Sequence, residues 1–236
     1  MLMRFAVSAA LMGAMMSMPA MAAPARKAAP VAAKPAPVPD VARVAITTPM
    51  GVITLELDGK HAPISVGNFL RYVDARRFDG MVFFRSMHLP WGDPPNGLIQ
   101  GGIRDAAKLF PPIAHEPTSQ TGILHKAGTI SLARHQPGSA TADFFILLSE
   151  LSSLDADPKA TDPDAQAGFA AFGHVAEGMD VVRKIWEQDR SPTAGEGAMK
   201  GQMLATPVKM LTVRRVPMPA AVSAPAATPV APAAGQ

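Results

Sequence analysis

The chain has 236 residues, 48% of them hydrophobic and 17% charged, with a net charge of +3 and no cysteine. Apolar burial has to supply the stability, because disulfides are excluded. The charge is too small to point to nucleic acid, and no basic stripe with interleaved aromatics occurs.

The N-terminus reads as an export signal. Met1-Leu2-Met3-Arg4 carries one positive charge, residues 5–18 are apolar or small, and Ala20-Met21-Ala22 gives a small-x-small cleavage pattern. The expectation is a signal peptide over 1–22 and a mature chain starting near Ala23. The apolar run is short for a membrane span, which needs roughly 20 residues, so no span is expected once the signal is removed. An uncleaved anchor is the alternative. Residues 23–40 are mostly Ala and Pro, with charges only at Arg26, Lys27, Lys34 and Asp40, and residues 217–236 repeat the Ala/Pro composition without a charge. Neither can build a core, and both are expected to be spacers. Residues 41–216 are left as a single-domain length.

Within that domain, Val41–Thr47 and Val52–Leu57 flank Pro49-Met50-Gly51, the pattern of a β-hairpin. Ala62-Pro63 opens a helix, in which Val66, Phe69, Leu70 and Val73 form one apolar stripe. Asp79-Gly80 turns into a strand over Met81–Arg85. Short strands follow at Leu98–Gln100, Thr129–Ala133, Phe144–Leu148 and Ala170–Val175. Glu177-Gly178-Met179-Asp180 leads into a second helix buried through Val181, Val182, Ile185 and Trp186, and Val208–Arg214 is the last strand. Many short strands with one helix near each end predict a mainly β fold: a closed eight-stranded antiparallel barrel capped by two α-helices.

Two blocks carry the chemistry. Phe83-Phe84-Arg85 is followed by Leu98-Ile99-Gln100-Gly101-Gly102, and Ala142-Asp143-Phe144-Phe145-Ile146 comes later. One cation at the end of an apolar aromatic run suits a catalyst that grips an apolar ring and places one hydrogen-bond donor on it. Together with Thr48-Pro49-Met50-Gly51, Ala62-Pro63-Ile64-Ser65-Val66-Gly67-Asn68-Phe69, Gly128-Thr129-Ile130-Ser131-Leu132-Ala133-Arg134, Leu154-Asp155, Phe172-Gly173-His174-Val175 and Glu177-Gly178-Met179-Asp180, these blocks resemble the cyclophilin family of peptidyl-prolyl cis–trans isomerases. The resemblance covers residues 42–214.

It implies isomerisation of X–Pro bonds in unfolded or exposed segments, no cofactor, and proline-containing polypeptides as partners. With the leader, it implies a bacterial exported protein acting in the periplasm, expected as a monomer. By the same resemblance Arg85 is the catalytic arginine and Gln100 positions the substrate. Phe145 is the floor of the proline pocket, with Leu98 and Leu154 beside it, and Ala133-Arg134 is the segment that binds the substrate backbone. Several positions depart from the family pattern. Asp143 stands for a glutamine, Phe169 for a histidine and Ser153 for an aromatic residue. Gly97 is nearest to a phenylalanine expected ahead of Leu98, in a region filled by an insertion over residues 88–97. Trp91 of that insertion either anchors the loop or folds over the pocket in place of that phenylalanine. A binding module of the same fold without turnover is the alternative these departures motivate.

Other chemistries fit poorly. His115-Glu116-Pro117 lacks the second histidine of a zinc-protease helix, and no metal-ligand spacing emerges elsewhere. The aspartates within Asp155–Asp164 lack the glycine and terminal glutamate of a calcium loop. Gly138-Ser139-Ala140 is not a nucleophile elbow. Gly195, Gly197 and Gly201 follow no strand, which weakens a nucleotide-loop reading.

Overall fold

The computed structural model describes residues 37–92 and 96–219. The expected signal peptide over 1–22 lies outside the described residues. So do 23–36 of the first spacer, 220–236 of the second, and 93–95 of the insertion.

The described strands are β1 (Val41–Thr48), β2 (Gly51–Asp58), β3 (Val82–His88), β4 (Gly97–Gly102), β5 (Thr129–Leu132), β6 (Phe144–Leu147), β7 (Ala170–Glu177), β8 (Met203–Lys209) and β9 (Thr212–Val216). The helices are α1 (Pro63–Asp74), α2 (Thr118–Thr121), α3 (Pro163–Ala167) and α4 (Met179–Trp186). All strand pairs are antiparallel, in the order β8-β3-β4-β6-β5-β7-β2-β1-β9.

The expected closed eight-stranded barrel is therefore corrected to a curled, nine-stranded open sheet, because its end strands β8 and β9 do not pair with each other. The reason lies at Met210-Leu211. The Met210 N–H donates to Met81 O at 2.7 Å, whereas the Leu211 N–H donates to Thr47 O at 2.7 Å. The segment read from sequence as one closing strand thus serves β3 first and β1 afterwards, and breaks where it changes partner. Besides the two expected capping helices there are two one-turn helices, α2 and α3, too short to show a helical period in the sequence. No helix among the described residues is long and apolar enough to cross a membrane.

The sheet curls through strand twist and the bulges in its ladders, and its inner face is apolar. Val44, Ile46, Ile53, Leu55, Ile130 and Ile146 are fully buried, each contributing about 1.5–3 kcal/mol on removal from water. α1 seals one side through the predicted stripe Val66, Phe69, Leu70 and Val73. The Phe69 ring packs on Phe78 at 5.0 Å, edge-on to Phe144 at 5.4 Å and on Phe172 at 5.5 Å. α4 buries Val181, Val182, Ile185 and Trp186, as its spacing predicts.

The N-terminus of α1 has no side-chain cap from Ala62. Glu116, almost completely buried, supplies one from a distant loop. Its two oxygens accept from Ile64 N–H at 3.0 Å and Ser65 N–H at 2.7 Å. A carboxylate there satisfies open amides and faces the positive end of the helix dipole. The glutamate of the incomplete zinc motif is a helix cap.

Candidate active site

The alternation of β3 would place Phe83 and Arg85 on the same face, since side chains two apart in a strand point the same way. Phe83 is fully buried in the core. A bulge separates the two: Phe83 pairs with Gly101 and Arg85 with Gln100, leaving Phe84 as the extra residue. The register of β3 against β8 shifts at the same point. The bulge moves Arg85 to the outer face, where a one-residue change of register inverts every side chain that follows.

On that outer face β4 contributes Leu98 and Gln100, β6 contributes Phe145, and β5 leads into Ala133 and Arg134. Their inward neighbours, Ile99, Phe144 and Ile146, belong to the main core. Leu98, Phe145, Leu147 and Leu151 form a second apolar cluster, with Met87, Leu89, Ala133, Leu154 and Phe169 packed against it. Above it lies a groove of about 650 Å³. Arg85, Leu98, Gln100, Ala133, Arg134, Asp143, Phe145, Leu154 and Phe169 all line it, so the structure gathers every residue that the sequence nominated.

Arg85 is held from two sides. Its Nη1 donates to Gln100 Oε1 at 2.8 Å, and its Nε and Nη2 donate to Gln202 Oε1 at 2.9 and 2.6 Å. Burial pushes the guanidinium pKa below its usual value. Phe145 forms the floor, edge-on to Phe169 at 5.6 Å. Arg134 does not reach across the groove. Its guanidinium donates to Gly168 O at 2.7 Å and to Asp164, and lies 4.9 Å from the Phe169 ring. Phe169, where a histidine is expected, packs beside Phe145 and carries the cation on one face of its ring.

Asp143 sits at the end of the floor near Gly102, where a side chain on the glycine would overlap the carboxyl. Burial raises the Asp143 pKa from 3.8 to about 6, opposed by Arg104, the Ile103 N–H and His135.

Gly97 is explained by its surroundings. A Cβ there would strike Met87 O and the Trp186 indole, whose Nε1 donates to Met87 O at 2.8 Å. The His88 ring stacks on the same indole at 3.7 Å. No aromatic residue fits at position 97, and Trp91 does not replace one: it is 59% exposed and lies outside the groove lining. Leu89, not Trp91, ties the insertion to the apolar floor.

Beneath the floor, His125 Nδ1 meets Asp155 Oδ1 at 2.7 Å and Nε2 meets Ser131 Oγ at 2.9 Å. Burial lowers the histidine pKa, partly offset by Asp155. The neutral ring then donates from Nδ1 and accepts from Ser131. The arrangement has the connectivity of a Ser-His-Asp triad, but Ser131 and His125 have no exposure at all, so the hydroxyl cannot meet a substrate. The His125 ring lies 17° from parallel with Phe145, 6.0 Å below it, and supports the floor. Sequence spacing gave no signal for this contact, nor for Met87, Ile103, Leu109 and Met199, which also line the groove.

Residues 43–214 match the family described as cyclophilin type peptidyl-prolyl cis-trans isomerase/CLD. A peptidyl-prolyl cis-trans isomerase of Acinetobacter baylyi is 36% identical over 177 residues, 72% of this chain and 84% of that protein. Peptidyl-prolyl cis-trans isomerase A of Dickeya dadantii is 35% identical over 148 residues, 60% of this chain and 70% of the relative. A cyclophilin-type isomerase structure from Cryptosporidium parvum superposes with a TM-score of 0.57 at 16% identity, over 76% of this chain and 99% of that one, a likeness of fold. The same protein is also solved in the presence of the dipeptide Ala-Pro. With the bulged arginine, the apolar floor and this match along nearly the whole domain, the chain belongs to the cyclophilin-type peptidyl-prolyl cis–trans isomerase family.

Proposed function

We propose that this isomerase accelerates rotation about X–Pro bonds in unfolded or exposed segments of envelope proteins, through Arg85 and the floor around Phe145. The observation that carries the reading is the bulge at Phe84, which turns the Arg85 guanidinium out of the core and holds it beside an apolar floor.

Rotation about a peptide bond faces ~18–20 kcal/mol because the nitrogen lone pair is delocalised into the carbonyl. At X–Pro the isomers are close in energy, yet exchange takes tens to hundreds of seconds. No bond need break. Phe145, Leu98, Leu154 and Phe169 hold the proline ring by apolar contact, and the Ala133-Arg134 backbone holds the chain beside it. As the bond twists, the prolyl nitrogen regains its lone pair and becomes an acceptor. Arg85 donates to it, an interaction absent from the planar ground state, and so binds the transition state preferentially. The donor is fixed beforehand by two amide oxygens, the condition under which electrostatic stabilisation is most effective. Gln100 holds the arginine on one side and offers its amide N–H₂ to the substrate.

The pairing of Arg85 with Gln100 favours turnover over a module that binds without catalysis, since binding alone needs no fixed cation on the floor. A protease-coupled assay on a short proline peptide tests this. Wild type should exceed Arg85→Ala by the equivalent of about 2–4 kcal/mol of barrier; equal rates with peptide still bound would leave only the binding module.

The proposed cellular setting rests on the leader composition. A signal peptide over 1–22 would deliver residues 41–216 to the periplasm as a monomer, with the Ala/Pro-rich 23–40 and 217–236 as spacers. N-terminal sequencing of the protein from a periplasmic extract should begin near Ala23, and recovery of the intact leader in the membrane fraction would support an anchor instead.

A further inference from the structure

Arg85 presents five N–H donors, and the structure accounts for four of them. Nε donates to Gln202 Oε1, Nη2 to the same oxygen and to Met87 Sδ at 3.6 Å, and Nη1 to Gln100 Oε1. One Nη1 proton has no partner among the described residues. Two of the four contacts are made on the Nε–Nη2 edge, and both end on one atom of Gln202.

Gln202 is itself fixed. Its backbone O accepts from Ser86 N–H at 2.9 Å, directly after Arg85 in β3, and its Nε2 donates to Ala198 O at 2.8 Å. The loop that carries it is closed by Gly201 N–H to Ala194 O at 2.9 Å and by Ser191 N–H to Met203 O at 2.8 Å. Gly195, Gly197 and Gly201 turn this loop with positive φ, a conformation that glycine adopts without cost. The glycines that made a weak nucleotide motif are the turns that deliver one carboxamide to the arginine.

We propose that Gln202 is a positioning residue for the isomerisation, holding the Nε–Nη2 edge of Arg85 so that the unpartnered Nη1–H is the donor left for the prolyl nitrogen. This rests on the reading of Arg85 as the catalytic donor. A guanidinium taken partly out of water needs its donors matched. Without Gln202, the Nε and Nη2 protons compete for Gln100 or water, and the side chain leaves the one orientation that serves the twisted bond. Misplacement by about 1 Å is enough for large losses in rate.

The test is a double-mutant cycle in the full chain, with kcat and KM measured separately. Gln202→Leu should lower kcat about ten-fold and leave KM within about two-fold. In an Arg85→Ala background, the same substitution should change kcat by less than about two-fold. Gln202→Glu, which keeps an acceptor for both N–H groups, should restore at least half of the wild-type kcat. An undiminished kcat in Gln202→Leu overturns the proposal. So does an equal loss in the Arg85→Ala background, because Gln202 would then act by contact with substrate or by holding the loop. If Arg85→Ala matches wild type, the reading of Arg85 falls and this inference with it. If Arg85→Ala is impaired while Gln202→Leu is not, only the inference about Gln202 falls. Thermal unfolding of Gln202→Leu and Gln202→Glu separates loss of positioning from loss of fold.

Discussion

Strands β4 and β6 have two apolar faces that do different work. On the inner face, Phe144 is fully buried and meets Phe69, Phe78 and Phe83 edge-on at 5.4–5.9 Å. On the outer face, its neighbour Phe145 touches only His125 and Phe169 among the described aromatic rings, and the groove lies above it. One residue step along the strand separates a packing residue from a binding surface. The inner face closes around every ring; the outer face stops short of closure, and Gln100 with Arg85 stands beside its apolar residues. An unfilled apolar surface of this kind is stable because it is small and because buried polar supports such as His125 hold it from below.

The sharpest way to break the comparison is to truncate each phenylalanine. Phe144→Ala should cost about 3–5 kcal/mol of stability, because it opens a cavity among packed rings. Phe145→Ala should cost about 1–2 kcal/mol, because its space opens onto the groove, while raising KM for a proline peptide. Denaturant unfolding and steady-state kinetics on the pair decide it; comparable stability losses would mean the outer face is core.

Next in size is Arg85→Lys. The charge stays, but the planar fork that meets Gln100 and Gln202 together is gone. The loss in kcat/KM should approach that of Arg85→Ala, about 2–4 kcal/mol, with the melting temperature within a few degrees of wild type. A lysine variant close to wild-type activity would mean that charge alone suffices and the fork is irrelevant.

Much of this was legible beforehand. The alternation and turn residues gave the β1–β2 hairpin, and the stripe of Val66, Phe69, Leu70 and Val73 gave the buried side of α1. The groove residues came from the resemblance of the ordered motifs to the cyclophilin family, not from apolar periodicity. The bulge at Phe84 was not legible: strict alternation would put Arg85 into the core beside Phe83, and only pairing with β4 and β8 shows otherwise. The split at Met210-Leu211 depends likewise on two strands distant in sequence. Gln202 stands 117 positions from Arg85, and no pattern within its own loop announces the contact. Arg134 lines the groove, and its guanidinium is engaged by Gly168, Asp164 and the Phe169 ring, contacts no spacing in the sequence announces.

The smallest expected effect concerns Asp143, the acid at the margin where the outer face stops being apolar. Its carboxyl is raised from 3.8 to about 6 by burial, with Arg104 and His135 opposing. The folded protein therefore holds this proton at pH values where the unfolded chain has released it. Stability falls as pH rises from about 4 to 6, and the whole penalty is present above about 6. Asp143→Asn removes the charge with little change of shape. It should stabilise the protein by about 1–2 kcal/mol at pH 7, discounted for partial exposure, and by nothing measurable below about pH 4. An asparagine also restores an amide where the family carries a glutamine, so peptide affinity should become independent of pH between about 5 and 7. Urea unfolding of both proteins at about pH 4, 5.5 and 7 checks the sign. A difference that is constant across that range would show that the carboxyl is solvated, and that the outer face is wet as far as Gly102.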